Sequence, residues 1–433
     1  MLLSIEKLIY GGDGLARTAP GPDGRSMAVF VPFVIPGEKV EAGIRQQKPG
    51  FARADSAQII ESSPDRIEAR CPYFQRCGGC HYQHISYERQ LEFKTQILRE
   101  TLQRIAKIEL KDEVRLHPSP PWNYRNRTRL QVRTASEFAL GYFRFGSHEF
   151  LPIHECPISS PCINELIGRL TDLKGLGCPS TIEEIEFFAT ADDDRMLASA
   201  FCHRDAPAQA LSAWAESLAG EFPFIAGASF FSSRRSAEDE DASEARLLTQ
   251  TGATFLSYKT ESAEYRVSAG AFFQVNRYLI DDLISIVAGS AQGELAFDLY
   301  AGGGLFSVPL AEKFHHIFAV ESSLTSLHDL RQNVPASVKV VGARTEQYLG
   351  SRTARKRPDL VVLDPPRAGA GKAVTRSLVE LGPQRIRYVS CDPATLARDL
   401  VPFLSAGYRI EETHLFDLFP QTFHIETVML LAR

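Results

Sequence analysis

Nearly continuous apolar segments in the last third of the chain constrain its fold more than any other feature. They read ELAFDL, HIFAVE, VKVV, DLVVLD and IRYVS, and helical stretches separate them. Strands that are apolar on both faces belong to parallel sheets with helices packed on each side. The sequence therefore predicts a doubly wound, Rossmann-like α/β domain over residues 265–433.

Two further domains are predicted upstream, which suits a chain of 433 residues. Residues 1–65 alternate apolar and polar positions between Gly, Pro and Asp, a pattern typical of a small antiparallel barrel. Residues 66–264 read as an α+β domain and include an amphipathic helix in YERQLEFKTQILRETLQRI. Within this domain the charged segment 232–245 has no apolar period, so it predicts a loop.

Composition narrows the cellular setting. The chain is 44% apolar and 23% charged, as ordinary globular proteins are. Its first residues reach Glu6 and Lys7 before any useful apolar length, and no segment is long enough to span a membrane. We therefore expect a cytoplasmic protein without a signal peptide. A net charge of −5 argues against a globally basic nucleic-acid binder, although a local basic patch can still bind one.

Polar residues and glycines follow the ends of the predicted parallel strands. In open α/β sheets the ligand crevice lies at this edge, so we expect these residues to converge there. The glycines allow close approach to main-chain N–H groups, and Glu321 suits a ribose diol. The turn suits an adenosyl ligand such as S-adenosylmethionine better than a dinucleotide, although a plain strand-to-helix turn reads almost the same. The residues at these strand ends are Asp298, Gly302–Gly304, Glu321, Asp364 and Cys391.

Cys391 is either a nucleophile at this edge or a small core hydrophobe. A free thiol with a pKa near about 8.5 is only a few per cent thiolate at neutral pH, so its attack requires activation or coupled proton transfer. Asp392 beside it opposes ionisation of the thiol. Glu426 interrupts the apolar run HIETVMLL, where a buried carboxylate has a raised pKa, unless this is a solvated strand face. A thiol and a proton-accepting carboxylate in one adenosyl pocket indicate covalent catalysis.

A cysteine-rich segment follows the predicted barrel. Its thiols have the spacing C-x5-C-x2-C, and IHECPI supplies a fourth one much later in the chain. Because disulfides are rare in the cytosol, clustered cysteines there favour metal binding. Four thiolates suit tetrahedral zinc and a [4Fe-4S] cluster equally well. The candidate ligands are Cys71, Cys77, Cys80 and Cys156. We predict core positions for the other cysteines before residue 265, which are Cys162, a competitor of Cys156, Cys178 and Cys202.

With these motifs assembled, the chain resembles the RNA uridine-5-methyltransferase family, and in particular the 23S rRNA type that carries an N-terminal TRAM domain and an iron-sulfur cluster. The segments GGDGLA and VPFVIPGEKVEAGI are similar to the TRAM barrel, and CPYFQRCGGCHYQ is similar to the cluster segment. FFQVN, DLYAGGGLFSVPLA, LDPPRAG, SCDPATLARDL and HIET are similar to the methyltransferase motifs and stand in the family order. The resemblance spans nearly the whole chain.

The resemblance implies an activity and roles for individual residues. The activity is methyl transfer from S-adenosylmethionine to C5 of a uridine in RNA, with 23S rRNA as the expected substrate and tRNA as the alternative. Cys391 would add to C6 of the uracil, and Glu426 would remove the C5 proton. The implied cofactor-binding residues are Gln274, Tyr300, Glu321 and Asp364. The implied ligands of a [4Fe-4S] cluster, which the resemblance favours over zinc, are Cys71, Cys77, Cys80 and Cys156.

Some features leave alternatives open. Leu305 stands where many relatives have a polar residue, so the glycine turn keeps only backbone contacts from Gly302 and Gly304. A catalytically inactive iron-sulfur protein that binds RNA or acts as a chaperone is one alternative. A small-molecule methyltransferase is another, but it would leave the barrel and the cysteines without a purpose. Nothing in the sequence points to an obligate protein partner.

Basic residues in WNYRNRTRLQVR, residues 122–133, are the expected RNA contacts. A solvated edge strand is an equally good interpretation of the segment. Trp122 and Tyr124 either stack on bases or pack in the core. Because C5 of a paired uracil is hard to reach inside a helix, we expect the target base to be unpaired or flipped out. If the segment is a strand, Leu130 and Val132 face inward and the opposite face carries Arg125, Arg127, Arg129, Gln131 and Arg133.

Overall fold

The computed structural model of the chain describes residues 1–21, 24–232 and 245–433. Most of the charged segment for which the sequence predicts a loop, residues 233–244, lies outside the described residues. Across the described ranges, no helix combines the length and the apolar character needed to cross a membrane.

The N-terminal strands close into a barrel in the order β1, β2, β3, β5, β4. Alternate residues such as Leu3 and Ile5 point inward and form a small core of their own. Neighbouring strands pair antiparallel except β3 and β5, which pair parallel, so the barrel is mixed rather than purely antiparallel. The strands are β1 (Leu2–Leu8), β2 (Gly14–Arg17), β3 (Ala28–Val31), β4 (Lys39–Lys48) and β5 (Phe51–Glu61).

The middle of the chain forms a mixed sheet in the order β13, β12, β11, β10, β7, β8, β9. The helices of this region are α1 (Tyr87–Ala106), α2 (Pro161–Asp172) and α3 (Ala208–Glu221), with a 3₁₀ turn at Lys174–Leu176. The strands are β6 (Val114–His117), β7 (Arg127–Arg133), β8 (Ala139–Phe143), β9 (Phe150–Pro152), β10 (Ile182–Ala189), β11 (Met196–Cys202), β12 (Ile225–Ser232), β13 (Leu247–Gly252), β14 (Phe255–Lys259) and β15 (Glu264–Ser268).

Strand β7 shows the predicted alternation, because Leu130 and Val132 are buried whereas Arg129 and Arg133 are exposed. They pack against α2 and α3, which cover one face of this sheet. The edge-strand interpretation is wrong, because β7 pairs with β10 on one side and β8 on the other. Arg125 precedes the strand rather than lying in it.

The last third of the chain alternates strands and helices, as the apolar segments predict. Its helices are α4 (Ile280–Ala288), α5 (Ser307–Leu310), α6 (Leu324–Asn333), α7 (Thr345–Leu349), α8 (Gly371–Leu381) and α9 (Pro393–Ser405), with a 3₁₀ turn at Arg352–Arg355. Its strands are β16 (Gly293–Leu299), β17 (Phe314–Glu321), β18 (Val338–Gly342), β19 (Leu360–Leu363), β20 (Arg385–Ser390), β21 (Arg409–Phe416) and β22 (Glu426–Ala432).

These strands form one sheet in the order β18, β17, β16, β19, β20, β22, β21, β6. The first five run parallel, and β22 is antiparallel to its neighbours β20 and β21. One core packs α4 and α6 against the sheet, and a second core packs α1, α8 and α9 against the other face. The prediction of an α/β domain covered on both faces is therefore confirmed, with a mixed rather than purely parallel sheet.

Residues 87–117 join this α/β layer although they come early in the chain. Helix α1 packs against α9 through its buried face, which includes Phe93, Ile97 and Leu98, whereas Ile105 of the predicted face is exposed. Strand β6 pairs parallel with β21 and becomes the last strand of the sheet. The chain thus enters the α/β layer before it forms the central sheet, and then returns to it.

Candidate active site

Two adjacent strands place Cys391 beside Glu426. Strands β20 and β22 pair antiparallel with Ser390 opposite Thr427, so the next residues along, Cys391 and Glu426, stand opposite each other. Residues opposite each other in such a pair have Cα atoms about 4.5–5.5 Å apart and side chains on the same face. The thiol and the carboxyl group therefore share one position at the edge of the sheet.

Helix capping fixes the chain directly after Cys391. The carboxylate of Asp392 accepts hydrogen bonds from the N–H groups of Ala394 at 2.9 Å and Thr395 at 2.8 Å. Pro393 occupies the first helical position, where its missing N–H group costs nothing. The acid and the proline that follow the cysteine in SCDPATLARDL thus start helix α9, and the neighbouring acid has a structural role.

The thiol of Cys391 is neutral in the resting site. Burial is the main cause that raises its pKa to about 12, and the carboxylates of Glu426 and Asp364 add to the rise. The Arg367 guanidinium works in the opposite direction. At that pKa only about one thiol in 10⁵ is ionised at pH 7, so nucleophilic attack has to be coupled to removal of the proton.

Carboxyl groups with raised pKa values surround this thiol. Glu426 is only 5% exposed, and burial followed by the charge of Asp364 raises its pKa well above the usual range. Asp364 follows β19, and burial followed by Asp298 raises its pKa to about 7. Burial also raises the pKa of Asp298, at the end of β16, to about 7. The rim therefore holds carboxyl groups that accept and release protons near neutral pH.

Glu321 is held at the end of β17 by backbone donors. Its carboxylate accepts hydrogen bonds from Gly302 at 2.8 Å, Ser322 at 2.6 Å and Ser323 at 2.7 Å. The N–H group of Gly304 donates to Ala301 at 2.9 Å. The N–H groups of Gly302 and Gly304, from which the sequence leaves cofactor contacts possible, thus already have acceptors within the fold. What the turn does achieve is a fixed carboxylate on the rim.

Tyr300 and Gln274 reach the site region from different elements. Tyr300 follows β16 with φ at 66°, a left-handed conformation that is strained for a tyrosine and is typical of functional sites. Burial, followed by the charge of Glu346, raises its pKa to about 12. Gln274 lies buried between β15 and α4, where its carbonyl oxygen accepts a hydrogen bond from the Asn126 amide at 3.3 Å. Asn276 of the same motif donates to the carbonyl oxygens of residues 417 and 418.

The structure brings the four predicted ligand thiols together. Burial raises the pKa of Cys77 to about 11, and the nearby Cys156 and Cys71 thiols add to the rise. The Gly79 N–H group donates to the Cys77 sulfur at 3.4 Å. Burial is likewise the main cause of the raised pKa values of Cys71 and Cys80, with Cys156 contributing to both. Cys156 therefore lies at this cluster, although it is distant in sequence.

Cys162, the sequence-level competitor of Cys156, lies elsewhere. Its backbone N–H group bonds Asp193 at the start of α2, and burial followed by Asp193 raises the pKa of its thiol to about 12. In the described ranges 1–21, 24–232 and 245–433, no group of three or more His, Cys, Asp or Glu side chains has the arrangement that holds a metal ion. The four converging thiols therefore do not form a closed single-ion site as they stand.

The basic face of β7 is largely paired within the central sheet. Arg127 and Arg129 form ion pairs with Glu186 and Glu184 of β10, and the Arg129 guanidinium lies 3.8 Å from the centre of the Phe201 ring. Tyr124 is fully buried and donates to the carbonyl oxygen of residue 420 at 3.0 Å, so its ring cannot stack on a base. A cleft of about 1000 Å³ nevertheless opens over this face, with Arg129, Arg133, Arg344, Phe201 and Ser322 in its wall.

Three side chains of the site region were not identified from the sequence. The Tyr10 hydroxyl donates to the carbonyl oxygen of Cys391 at 3.0 Å. Arg367 opposes the rise in the pKa values of both Cys391 and Glu426. Phe272 stands next to the buried part of FFQVN with 63% of its surface exposed. Each belongs to a motif that the sequence displays, but only the fold shows where it points.

Comparisons with known proteins agree with this arrangement. A family model described as tRNA (Uracil-5-)-methyltransferase matches residues 86–348 and 349–433. The chain is 34% identical over 454 residues to an uncharacterized RNA methyltransferase of Streptomyces avermitilis, covering 99% of this chain and 97% of that protein. It is 31% identical over 456 residues to the 23S rRNA (uracil(1939)-C(5))-methyltransferase of Halomonas elongata, covering 99% and 89%.

A solved structure is similar over the full chain. The Pyrococcus abyssi tRNA (uracil-54, C5)-methyltransferase, crystallised in complex with S-adenosyl-L-homocysteine, matches with a TM-score of 0.76 and 25% identity, covering 100% of each chain. The fold and the rim of carboxyl groups thus define an α/β methyltransferase. The chain belongs to the RNA uracil-5-methyltransferase family, as its motifs predict.

Proposed function

We propose that this chain, an S-adenosylmethionine-dependent RNA uracil-5-methyltransferase, works through a covalent bond between Cys391 and its substrate. The observation that carries this proposal is the pairing of β20 with β22, which puts the Cys391 thiol opposite the Glu426 carboxyl group. A nucleophile and a base on one edge can act on adjacent carbons of one small ring.

The steps follow from the chemistry of uracil and of the rim. C5 of uracil becomes nucleophilic only after C6 carries an added group. The Cys391 sulfur bonds to C6 as a rim carboxylate takes the thiol proton, and the electron pair of the C5–C6 double bond moves toward O4 as an enolate. S-adenosylmethionine supplies the methyl group to C5. Glu426 then takes the C5 proton, the double bond re-forms, and the C6–S bond breaks to free Cys391.

The cofactor pocket is proposed from the strand ends next to this pair. Tyr300, Glu321 and Asp364 follow or end the adjacent strands β16, β17 and β19, and Gln274 lies in the segment before α4. The Glu321 carboxylate, fixed by backbone N–H groups, is placed to accept hydrogen bonds from the ribose hydroxyls. Asp364 lies nearest the reacting thiol, since it raises the pKa of Cys391 directly.

The proposed substrate is a uridine in 23S rRNA, unpaired or flipped out when it enters the site. Support comes from the Halomonas elongata relative, which acts on 23S rRNA and covers this chain almost completely. The cleft over β7 is the proposed contact surface for the RNA, with exposed Arg129 and Arg133 on its wall. Its acidic side chains make it better suited to unpaired bases than to a dense row of phosphates.

The cysteine cluster and the barrel receive proposed roles as well. Buried thiolates are costly unless a metal balances their charge, so four converging thiols fit a metal-bound state. Zinc needs four sulfurs at about 2.3 Å from one ion, and the thiols lack a single-ion arrangement, which favours a larger [4Fe-4S] cluster. The closed barrel is a TRAM domain in this proposal, and the protein acts in the reducing cytoplasm.

Trapping with 5-fluorouridine RNA tests the covalent step. Fluorine at C5 cannot leave as a proton does, so the reaction stops with Cys391 bonded to the methylated base. The expected result is a complex that survives denaturant, with the crosslink located on Cys391 by mass spectrometry. Cys391→Ala removes it, whereas Cys178→Ala, a matched half-buried thiol whose pKa burial also raises to about 12, leaves it intact.

The same assay separates the substrates and the alternatives. Equal amounts of 23S rRNA fragments and tRNA carrying 5-fluorouridine are offered in competition. Capture of tRNA alone would overturn the 23S rRNA assignment while keeping the chemistry. If neither RNA forms a complex, an inactive RNA-binding protein or a small-molecule methyltransferase replaces the proposal.

A further inference from the structure

The N-terminal barrel reaches the proposed nucleophile through the turn after β1. Tyr10 lies in that turn, and its hydroxyl group donates to the carbonyl oxygen of Cys391 at 3.0 Å across a separation of 381 residues. The hydroxyl lies among the charges of the rim, because Asp392, Cys391 and Glu426 all act on its ionisation. A side chain of the barrel is thus part of the wall around the reacting sulfur.

The same turn contacts the loop that leads to Glu426. The ring of Tyr10 meets the ring of Phe423 edge to face, with centroids 5.5 Å apart. His81, one residue after Cys80, contacts the other edge of Phe423 at 4.7 Å. Phe423 therefore lies between the barrel and the cysteine segment, three residues before the proposed base.

Gly12 shows that this packing is tight. Its φ of 95° lies in the region that L side chains avoid, and a Cβ atom there would approach the His81 ring to within 3.0 Å. The sequence YGGDG therefore provides two glycines and an aromatic residue where barrel, cysteine segment and catalytic edge meet. The packing accounts for a motif that the proposed chemistry does not use.

We propose that Tyr10 is a positioning residue for the methyl-transfer reaction, which fixes the backbone of Cys391 so that its sulfur faces the uracil ring. The inference rests on the proposed function, since it concerns the same sulfur. The strand ends at Ser390 and the helix starts at Pro393, so Cys391 lies in neither element. The hydrogen bond from Tyr10 supplies at this junction the anchor that a strand partner supplies elsewhere.

The test compares Tyr10→Phe with Tyr408→Phe. Both variants lose one tyrosine hydroxyl that donates to a backbone carbonyl, and the Tyr408 bond to Pro383 at 2.6 Å lies away from the rim. Tyr10→Phe keeps the ring against Phe423. We expect adduct formation with 5-fluorouridine RNA at saturating RNA to slow about three- to tenfold in Tyr10→Phe and to stay unchanged in Tyr408→Phe. The dissociation constant for RNA should stay within about twofold of that of the unaltered protein in both.

A second readout needs neither RNA nor cofactor. Iodoacetamide labelling of Cys391, followed by mass spectrometry, should become at least about twofold faster in Tyr10→Phe, because the released junction exposes the sulfur more often. Equal adduct rates in Tyr10→Phe and the unaltered protein, or equal losses in both variants, would overturn the proposal. Weakened RNA binding with an unchanged rate at saturation would make Tyr10 an RNA contact instead. If the unaltered protein forms no adduct, the proposed function fails, and labelling alone still decides the role of Tyr10.

Discussion

The catalytic rim and the cysteine cluster solve the same problem in different ways. Each gathers reactive side chains from distant parts of the sequence. The rim does so with regular strands, because Asp364, Cys391 and Glu426 lie at the ends of β19, β20 and β22. The cluster does so with loops, whose backbone groups bond to other parts of the chain, as when residues 81 and 82 donate to the carbonyl oxygen of Gln421.

The difference teaches which replacements disturb chemistry and which disturb structure. A rim side chain can change while the strand beneath it keeps its ladder of backbone hydrogen bonds. A cluster cysteine sits in a segment that packs against the loop before Glu426, and the buried Lys94–Asp417 ion pair holds the far end of that loop. We therefore expect rim variants to lose activity with an intact fold, and cluster variants to lose both.

Glu426→Gln should show the largest effect. The amide cannot take the C5 proton, so methyl transfer proceeds and elimination stops, and the overall rate falls by about 10²- to 10⁴-fold. Ordinary uridine RNA should then form a lasting adduct that already carries the methyl group, seen as a mass increase on Cys391. The unfolding temperature should stay within about 2 °C of that of the unaltered protein. Unchanged turnover in this variant would remove Glu426 from the mechanism.

Cys156→Ser should weaken the fold and the activity together. Loss of one thiolate should release the iron and its brown colour, and lower the free energy of unfolding by about 3 kcal/mol or more. Adduct formation should slow about tenfold, because His81 no longer supports Phe423. Cys162→Ser is the matched control, since it also replaces a free thiol but lies away from the cluster. Iron loss in the Cys162 variant alone would assign the fourth ligand to the competitor.

Much of the rim could be predicted because strand ends are visible in a sequence. The apolar runs end at Glu321, Asp364 and Cys391, and the topology of an open α/β sheet then requires that they meet. The partnership of Cys391 with Glu426 depends on an antiparallel strand that returns between β20 and β21. That register is a tertiary fact, so the resemblance to a family could suggest it but periodicity could not.

The basic strand shows where sequence reasoning fails. Alternation correctly put Arg127 and Arg129 on one face of β7, yet it could not reveal that Glu186 and Glu184 of β10 stand opposite them. Tyr10 was invisible for a related reason, because a contact across 381 residues leaves no local pattern. Features set by one element were predictable, whereas features set by the partner of that element were not.

Asp364→Asn should separate thiol ionisation from catalysis. The Asp364 carboxylate raises the pKa of Cys391, so a neutral amide lowers that pKa. Below the pKa the thiolate fraction grows as the pKa falls, and iodoacetamide labelling of Cys391 at pH 7 should become about three- to tenfold faster. Methylation should slow at the same time, because a proton acceptor and a cofactor contact are lost. Asp359→Asn, at the opposite end of the same strand, should change neither rate.

Arg367→Gln should have the smallest effect and the clearest dependence on salt. Arg367 is exposed and lowers the pKa values of Cys391 and Glu426, so its removal raises both and slows labelling of Cys391 about twofold at pH 7. Because the charge acts through solvent, 1 M salt should screen it and bring the rate of the unaltered protein down to that of the variant. Arg367→Lys keeps the charge and should keep both the rate and its salt dependence. Slow labelling in Arg367→Lys as well would mean that the shape of the guanidinium, rather than its charge, acts on the rim, and the electrostatic contrast between rim and cluster would then fail at this position.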